Sequence, residues 1–335
     1  MSDSSTGRVF KAFSKLPGKR VEVSGMSLAR VEPALASTIW ENFITLNSAA
    51  EPDFELLEPA CHHYKTDSRK DEWADLNFAE ALDRDQLPLP AIADREGYYG
   101  SDHFSYWASG LADARYLIQA SEEHGIGIST YLDIGCASGR VLRHIALERP
   151  TCQTIGCDIN RLHVEWCNTN LPANCMVFQN HSLPSLPLED NSLDMVSAFS
   201  VFTHIEALET AWLAEIRRVL KPGGLAWLTV HTEHTLTCMN EDWPLWRPTM
   251  EHPLAAKVLD DKRWFKGDRL VLRWHADRSY SSNVFYKSEY LTSRWSRILE
   301  LVELKRCFPN FQDVLLMRKH RSGTRSPATS IQLGT

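Results

Sequence analysis

No stretch of this sequence approaches the roughly 18 consecutive apolar residues that span a bilayer. Its first residues, MSDSSTGRVFKAF, contain no apolar signal segment. A cytoplasmic chain without membrane contact is the expectation. Positive charge is not in excess either: 36 Lys and Arg face 43 Asp and Glu, for a net charge of -7. Such a chain has no global attraction for phosphate backbones, so nucleic acid is a disfavoured partner. The cysteines (Cys61, Cys136, Cys152, Cys157, Cys167, Cys175, Cys238, Cys307) form no CxxC pair and no zinc-finger spacing. They read as reduced, mostly buried thiols, and no metal is expected. His62 and His63 beside Cys61 resemble ligands locally, but no fourth partner is visible. No internal repeat is present, and nothing in the sequence sets an oligomeric state.

What is present is a folded composition, 43% hydrophobic and 24% charged over 335 residues, enough for a sizeable core. Residues 1–95 mix helical and loop signals and read as an N-terminal accessory region. They end in Gln86-Leu87-Pro88-Leu89-Pro90, which suggests a linker or boundary. Trp107, Leu111, Tyr116 and Leu117 predict a helix over Ser105 to Ser121, preceded by Tyr98, Tyr99, Phe104 and Tyr106. From Tyr131 to Val230 short apolar runs alternate with helical patterns. This predicts an α/β fold with a mostly parallel, doubly wound sheet over residues 96–235. Residues 236–280, with Trp243, Trp246, Trp264 and Trp274, interrupt the rhythm and read as an insertion or substrate lid. Residues 281–320 return to the core sheet: Ser288 is a candidate cap for a helix through Trp295, and Ile298 to Val302 and Val314 to Met317 are candidates for an antiparallel hairpin. Residues 321–335 read as a disordered tail.

The most informative segment is Tyr131-Leu132-Asp133-Ile134-Gly135-Cys136-Ala137-Ser138-Gly139-Arg140, an apolar strand entering a small-residue turn. Gly135 and Gly139 let backbone approach a ligand, and a helix beginning near Arg140 offers unpaired amides. Glycine there for packing alone is the competing reading. Asp158 ends the next strand at the separation expected of a carboxylate that binds ribose hydroxyls; a helix N-cap is its alternative role.

Asp133-Ile134-Gly135-Cys136-Ala137-Ser138-Gly139 resembles the first motif of class I, Rossmann-like S-adenosylmethionine-dependent methyltransferases. Leu186-Pro187 with Asn191-Ser192-Leu193-Asp194-Met195-Val196 is similar to that family's approach to its fourth strand. Glu215-Ile216-Arg217-Arg218-Val219-Leu220-Lys221-Pro222-Gly223-Gly224 resembles its entry into the fifth. The resemblance covers about Ser105 to Glu233. It implies S-adenosyl-L-methionine as cofactor, with the amino-acid half held by the turn from Asp133 through Cys136, Ala137 and Ser138 to Arg140, and the ribose by Asp158. It also implies Ile159 on the adenine face, Asn180 and His181 at the adenine edge, and Phe199 and Ser200 near the methionine half. Many relatives carry an acidic residue near Asn180 and glycine at Ala137; the methyl of Ala137 is tolerated if its φ is negative. An NAD-binding fold competes, but G-x-G-x-x-G is missing.

The sulfonium brings its own electrophile, so the protein's task is alignment and proton removal. His204, after the fourth strand, is the first candidate base, with capping or simple exposure as its other reading; His231, after the fifth, is the second. Tyr98, Tyr99, Tyr106, Trp107, Trp243 and Trp246 are candidates for an aromatic lid, although packing explains each singly. Three functions remain open: methyl transfer to oxygen of a small molecule or glycan, methylation of protein, and a non-catalytic cofactor-binding scaffold.

Overall fold

The structure, a computed structural model, describes residues 76–274, 282–308 and 311–321. Most of the accessory region, including Cys61, His62 and His63, and the tail beyond Arg321 lie outside the described residues. Within them the elements run α1 (Ala79–Arg84), α2 (His103–Glu123), β1 (Thr130–Ile134), α3 (Leu142–Glu148), β2 (Gln153–Asp158), α4 (Arg161–Asn170) and β3 (Cys175–Gln179). They continue with β4 (Leu193–Ala198), α5 (Glu209–Val219), β5 (Leu220–Thr232), α6 (Glu233–Cys238), α7 (Trp246–Glu251) and α8 (Ala255–Val258). The last are β6 (Arg269–Arg273), β7 (Ser282–Tyr286), α9 (Ser288–Arg294), β8 (Glu300–Lys305) and β9 (Asp313–Arg318).

The alternation predicted from Tyr131 onward is the observed one. The sheet order is β3-β2-β1-β4-β5-β7-β6, with β9 antiparallel on β5 and β8 on β9. β3, β2, β1, β4 and β5 pair in parallel, so the ends of β1, β2, β4 and β5 open onto one edge. Both faces are buried, as the crossover helices of a parallel sheet demand. Leu132, Ile134 and Val196 pack on one face with Leu213 and Ile216 of α5 and Leu291 of α9. Tyr131 and Met195 pack on the other with Leu117 of α2, Ile145 of α3 and Val164 of α4. No helix among the described residues is long and apolar enough to cross a membrane.

The structure corrects several expectations. Gln86 to Pro90 is no free linker: Leu89 and Pro90 are buried, and Arg143 of α3 donates to the carbonyls of Leu87 and Pro88 at 3.0 and 2.8 Å. The Lys221-Pro222-Gly223-Gly224 turn is a bulge inside β5. The register jumps there from Leu193↔Leu220 to Met195↔Leu225, and Gly223 takes φ 90. Ser288 is the first residue of α9 rather than its cap, Lys287 holding the cap position. The irregular 236–274 stretch contains short helices and β6, which pairs with β7 antiparallel. β7 in turn joins the end of β5 in parallel and is tied to the loop after β4 by Val284 N–H donating to the Thr203 carbonyl at 2.7 Å. Sequence periodicity missed this hairpin because Leu270, Leu272 and Phe285 are buried in a cluster of their own, outside the core of the main sheet.

Candidate cofactor and active site

After β1 the chain turns through Gly135 (φ 69), Ala137 (φ 46) and Gly139 (φ 77). A Cβ on Gly135 would stand 2.4 Å from Val201 Cγ2, and one on Gly139 2.5 Å from Leu171 Cδ1. Both positions need glycine for space as well as for φ. Ala137 departs from the expected negative φ. Its left-handed backbone costs an L-residue roughly 1–2 kcal/mol. The conformation is held by Asp158, whose Oδ2 accepts the Ala137 N–H at 2.8 Å, and by Cys167 Sγ at 3.3 Å from the Ala137 carbonyl.

The turn's first amides face inward. Gly135 and Cys136 both donate to the Cys157 carbonyl, at 2.8 and 3.1 Å, and Gly139 donates to that of Cys136 at 2.9 Å. Cys136 is buried. Ser138 Oγ donates to the Asp94 carbonyl at 2.7 Å and lies 3.3 Å from Tyr106 Oη. α3 begins at Leu142, later than expected, and Arg140 turns away to Asp113 (2.7 Å) and Ser109 Oγ (3.2 Å), its guanidinium 5.0 Å from the Tyr98 ring centroid. The one cation of the turn is thereby paired.

Carboxylates surround the turn instead. Asp158 Oδ1 accepts the Asn160 N–H at 2.8 Å, while the cap of α4 is Asn160, whose Oδ1 accepts the Leu162 N–H at 3.0 Å. Asp158 therefore is not the helix cap, and its two oxygens straddle the turn and the start of α4. Burial raises its carboxyl, opposed by His163 and the two amides. Asp133 is buried at the end of a chain in which Tyr131 Oη donates to Ser197 Oγ (2.6 Å) and Ser197 Oγ to Asp133 Oδ1 (2.5 Å). Burial pushes its carboxyl up to about 7, the Ser197 hydroxyl and Arg140 pulling against that shift.

A strap formed by residues 94–100 closes this edge. Asp94 is held by Ser138, and Glu96 Oε1 lies 2.8 Å from His163 Nε2 on α4. Arg95 donates to the carbonyls of Pro90 (2.9 Å) and Gly100 (3.2 Å), and Tyr98 Oη meets Ser200 Oγ at 2.9 Å. Glu96 (φ 50), Tyr99 (φ 59) and Ser200 (φ 56) join Ala137 in the left-handed region, a clustering of strained residues typical of functional sites. Sequence reading missed Glu96, Asp94 and His163. The one available signal was Gly97 and Gly100 bracketing two tyrosines.

At the far side, Asn180 N–H donates to the Asp158 carbonyl at 3.0 Å, and its buried Oδ1, like His181 Nδ1 and Ser182 Oγ, has no hydrogen-bond partner among the described residues. Ile159 is half-buried, its carbonyl accepting from Gln179 Nε2 at 3.0 Å. Phe199 is half-buried after β4. The Ser200 N–H donates to Thr229 Oγ1 at 2.6 Å, and its hydroxyl accepts from Gln312 Nε2 at 2.8 Å. Unpaired Asn180 Oδ1 and the glycine cradle are what a nucleoside with an amino-bearing base and a close-approaching tail require.

The two histidines part company. His204 Nδ1–H donates to the Ser282 carbonyl at 2.6 Å, leaving Nε2 with the lone pair, and burial lowers its pKa so that it is neutral near pH 7. His231 is 1% exposed, stacked on Phe285 at 5.1 Å and edge-on to Trp243 at 5.3 Å, with neither nitrogen hydrogen-bonded among the described residues. Burial drops its pKa to about 3. The proposed aromatic lid also divides. Trp107 and Tyr106 are core, Trp107 Nε1 donating to Asp85 at 2.8 Å; Trp243 covers His231, Trp246 packs beside it in the same cluster, and Tyr98 alone bridges the turn to Ser200.

The raised Asp133 pKa has a signed consequence. A carboxyl raised from its unfolded value of about 3.9 contributes stability that is complete below that pH and lost as pH rises through about 7. A cationic ligand reverses the preference. Affinity for S-adenosylmethionine is expected to rise by at most about tenfold per pH unit between roughly pH 6 and 7, below the pH near 8 where an α-amino group deprotonates. Calorimetry in buffers of different ionisation enthalpy should show proton release near pH 6.5 that vanishes in Asp133→Asn; equal release from both proteins would refute the assignment.

Residues 132–228 match the family described as Methyltransferase domain. This segment is a methyltransferase domain. Among curated proteins, the chain is 36% identical over 183 residues to the sterol 24-C-methyltransferase erg6 of Schizosaccharomyces pombe, covering 51% of this chain and 47% of that protein. It is 30% identical over 158 residues to the sterol 24-C-methyltransferase ERG6B of Gibberella zeae, covering 44% and 41%. The chain spans about half the length of the curated relatives it matches. Among solved structures it is similar to a SAM-dependent methyltransferase from Methanosarcina mazei, with 17% identity, 60% of this chain, 97% of that one and a TM-score of 0.43. A putative methyltransferase from Listeria monocytogenes gives 11%, 64%, 100% and 0.45.

Proposed function

We propose that the chain transfers a methyl group from S-adenosylmethionine to carbon of a small, apolar acceptor. The observation that carries the cofactor half is the charge around the turn. Asp133, Asp158 and Glu96 border it, Arg140 is neutralised by Asp113, and the Gly135, Cys136 and Ala137 amides are already bonded inward. Such a cradle favours a cation and disfavours the pyrophosphate of a dinucleotide. Asp158 and Asn180 are the residues that suit the nucleoside, Asp133 and Glu96 the positive end, and Gly135 and Gly139 the close backbone approach.

The acceptor half takes its support from the fungal sterol 24-C-methyltransferases. Their names place the methyl on carbon, so the oxygen acceptor expected from sequence is not carried forward. The bound sulfonium supplies the electrophilic methyl. An unsaturated carbon attacks it without first losing a proton; a C–C bond forms as the S–C bond breaks, and the acceptor's positive charge is discharged by losing a proton. His204, neutral and with Nε2 bearing the lone pair, suits that proton, whereas His231 is too weak a base. Phe202, Trp295 and Tyr286 pack on each other in the core beside the loop that bears His204.

The test is transfer of labelled methyl to a panel of unsaturated sterols and lipids, catechols, sugars and peptides. Product labelled at carbon of an apolar acceptor supports the proposal, and labelling confined to heteroatoms of polar acceptors refutes its acceptor half. Asp158→Ala is expected to weaken cofactor binding by roughly 1–3 kcal/mol, the scale of hydrogen bonds to a charged group. Unchanged affinity by titration calorimetry would remove Asp158 from the site.

A further inference from the structure

The fold brings together three metal-ligating side chains that the sequence keeps far apart. His234 and Cys238 lie four residues apart on α6 and so share a face. Cys307 follows β8. One ligand atom from each, an imidazole nitrogen and two sulfurs, all lie within 4.8 Å of one another, and Cys238 Sγ is 3.3 Å from His234 Nε2. Across a tetrahedral zinc with bonds of about 2.0–2.3 Å, neighbouring ligand atoms stand roughly 3.5–3.8 Å apart. The trio needs little adjustment to reach that spacing.

A single buried carboxylate imposes the arrangement. Asp313 Oδ2 accepts from Thr232 Oγ1 at 2.6 Å, and Thr232 is the N-cap of α6, in a capping box with Thr235. The same carboxylate accepts from Arg306 Nη1 at 2.7 Å and, through Oδ1, from the Cys307 N–H at 2.8 Å. One hub thus fixes both the helix that presents His234 and Cys238 and the turn that presents Cys307. Cys307 itself adopts φ 45, an unfavourable conformation for a side-chain-bearing residue, and its sulfur reaches the helix from there.

We propose that His234, Cys238 and Cys307 bind a zinc ion just beyond the end of β5, on ligands distinct from the residues assigned to cofactor binding and methyl transfer. Two thiolates and an imidazole suit a soft or borderline d10 cation and not magnesium or calcium. On binding, Zn2+ displaces the two thiol protons to solvent and leaves an electrically neutral three-ligand centre. Its fourth position takes water, because Cys238 is exposed. The ion ties the first helix of the insertion to the turn between β8 and β9, two segments whose neighbours Trp243 and Phe311 already stack at 5.2 Å. Metal binding of this kind adds its binding energy to the fold.

The full chain, reduced and stripped with a chelator, is titrated with Zn2+ against a chromophoric competitor, and bound zinc is counted by elemental analysis. One zinc per chain is expected. Cys238→Ser, Cys307→Ser and His234→Ala should each weaken it at least tenfold, and Cys61→Ser should leave it unchanged. Circular dichroism of the metal-free variants establishes that they fold. Independently of any variant, Co2+ added to the wild type should show thiolate-to-cobalt charge transfer and tetrahedral ligand-field bands. The proposal is overturned if the double variant Cys238→Ser/Cys307→Ser holds zinc as tightly as wild type, or if loss follows Cys61→Ser instead. It is equally overturned if the wild-type cobalt spectrum lacks thiolate bands, or if the reduced chain binds nothing while mass spectrometry of the air-exposed chain shows a Cys238–Cys307 disulfide.

Discussion

Asp85→Ala is expected to destabilise the chain by about 3–5 kcal/mol in urea unfolding, because it leaves the guanidinium of Arg143 buried without its counter-charge. Asp85 and Arg143 have 0% and 1% side-chain exposure. The carboxylate accepts from Arg143 Nη2 at 2.8 Å and Nε at 2.9 Å, from Trp107 Nε1 at 2.8 Å and from the Leu87 N–H at 3.0 Å. Burial raises its pKa, but the Arg143 guanidinium, joined by His144 and the Trp107 N–H, outweighs burial and holds it below the ordinary carboxylate value. Its contribution is therefore present above about pH 3.9 and fades as pH falls through the lowered folded value. Asp85→Leu combined with Arg143→Met should recover most of the loss, since an apolar pair of similar bulk removes the stranded charge. A double variant as unstable as Asp85→Ala would show that shape rather than charge governs the site. Cofactor affinity should fall in Asp85→Ala as well, because Arg143 also holds the carbonyls of Leu87 and Pro88 in the segment that leads to the strap over the turn.

Gly135→Ala is expected to cost roughly 2–5 kcal/mol, the sum of a left-handed φ for an L-residue and overpacking of a filled site. The added methyl would meet Val201 Cγ2 at 2.4 Å. Val201 adjoins Ser200, which Tyr98, Thr229 and Gln312 hold, so displacing it should also weaken cofactor binding more than tenfold in titration calorimetry. Adding Val201→Ala should return the steric part and leave the φ part. A Gly135→Ala chain within about 0.5 kcal/mol of wild type, the range of neutral surface changes, would rule out this account of the turn.

Much of the turn after β1 was legible in sequence because its requirements are local. A strand, a turn with glycine where φ is positive, and an acidic residue at the next strand end are set by neighbours in the chain, so Asp133, Gly135, Gly139 and Asp158 could be named without coordinates. The sign of φ at Ala137 was not legible, because it depends on the Asp158 carboxylate 21 residues away drawing in its amide. The difference between His204 and His231 was equally hidden. His204 does follow the end of β4 and meets a carbonyl of β7, but His231, expected just beyond the fifth strand, lies inside β5, paired with Phe285 and enclosed by that residue and Trp243.

By itself the sequence determined the alternating α/β order, the place of the glycine turn after β1 and the absence of any linear metal motif, since apolar periodicity and residue spacing act along the chain. Only the tertiary structure decided which charges surround the turn, that a strap from residues 94–100 closes it, and that Cys307 meets His234 and Cys238. Those facts rest on contacts between segments tens of residues apart, where burial and pairing set protonation and geometry and one-dimensional spacing has no hold.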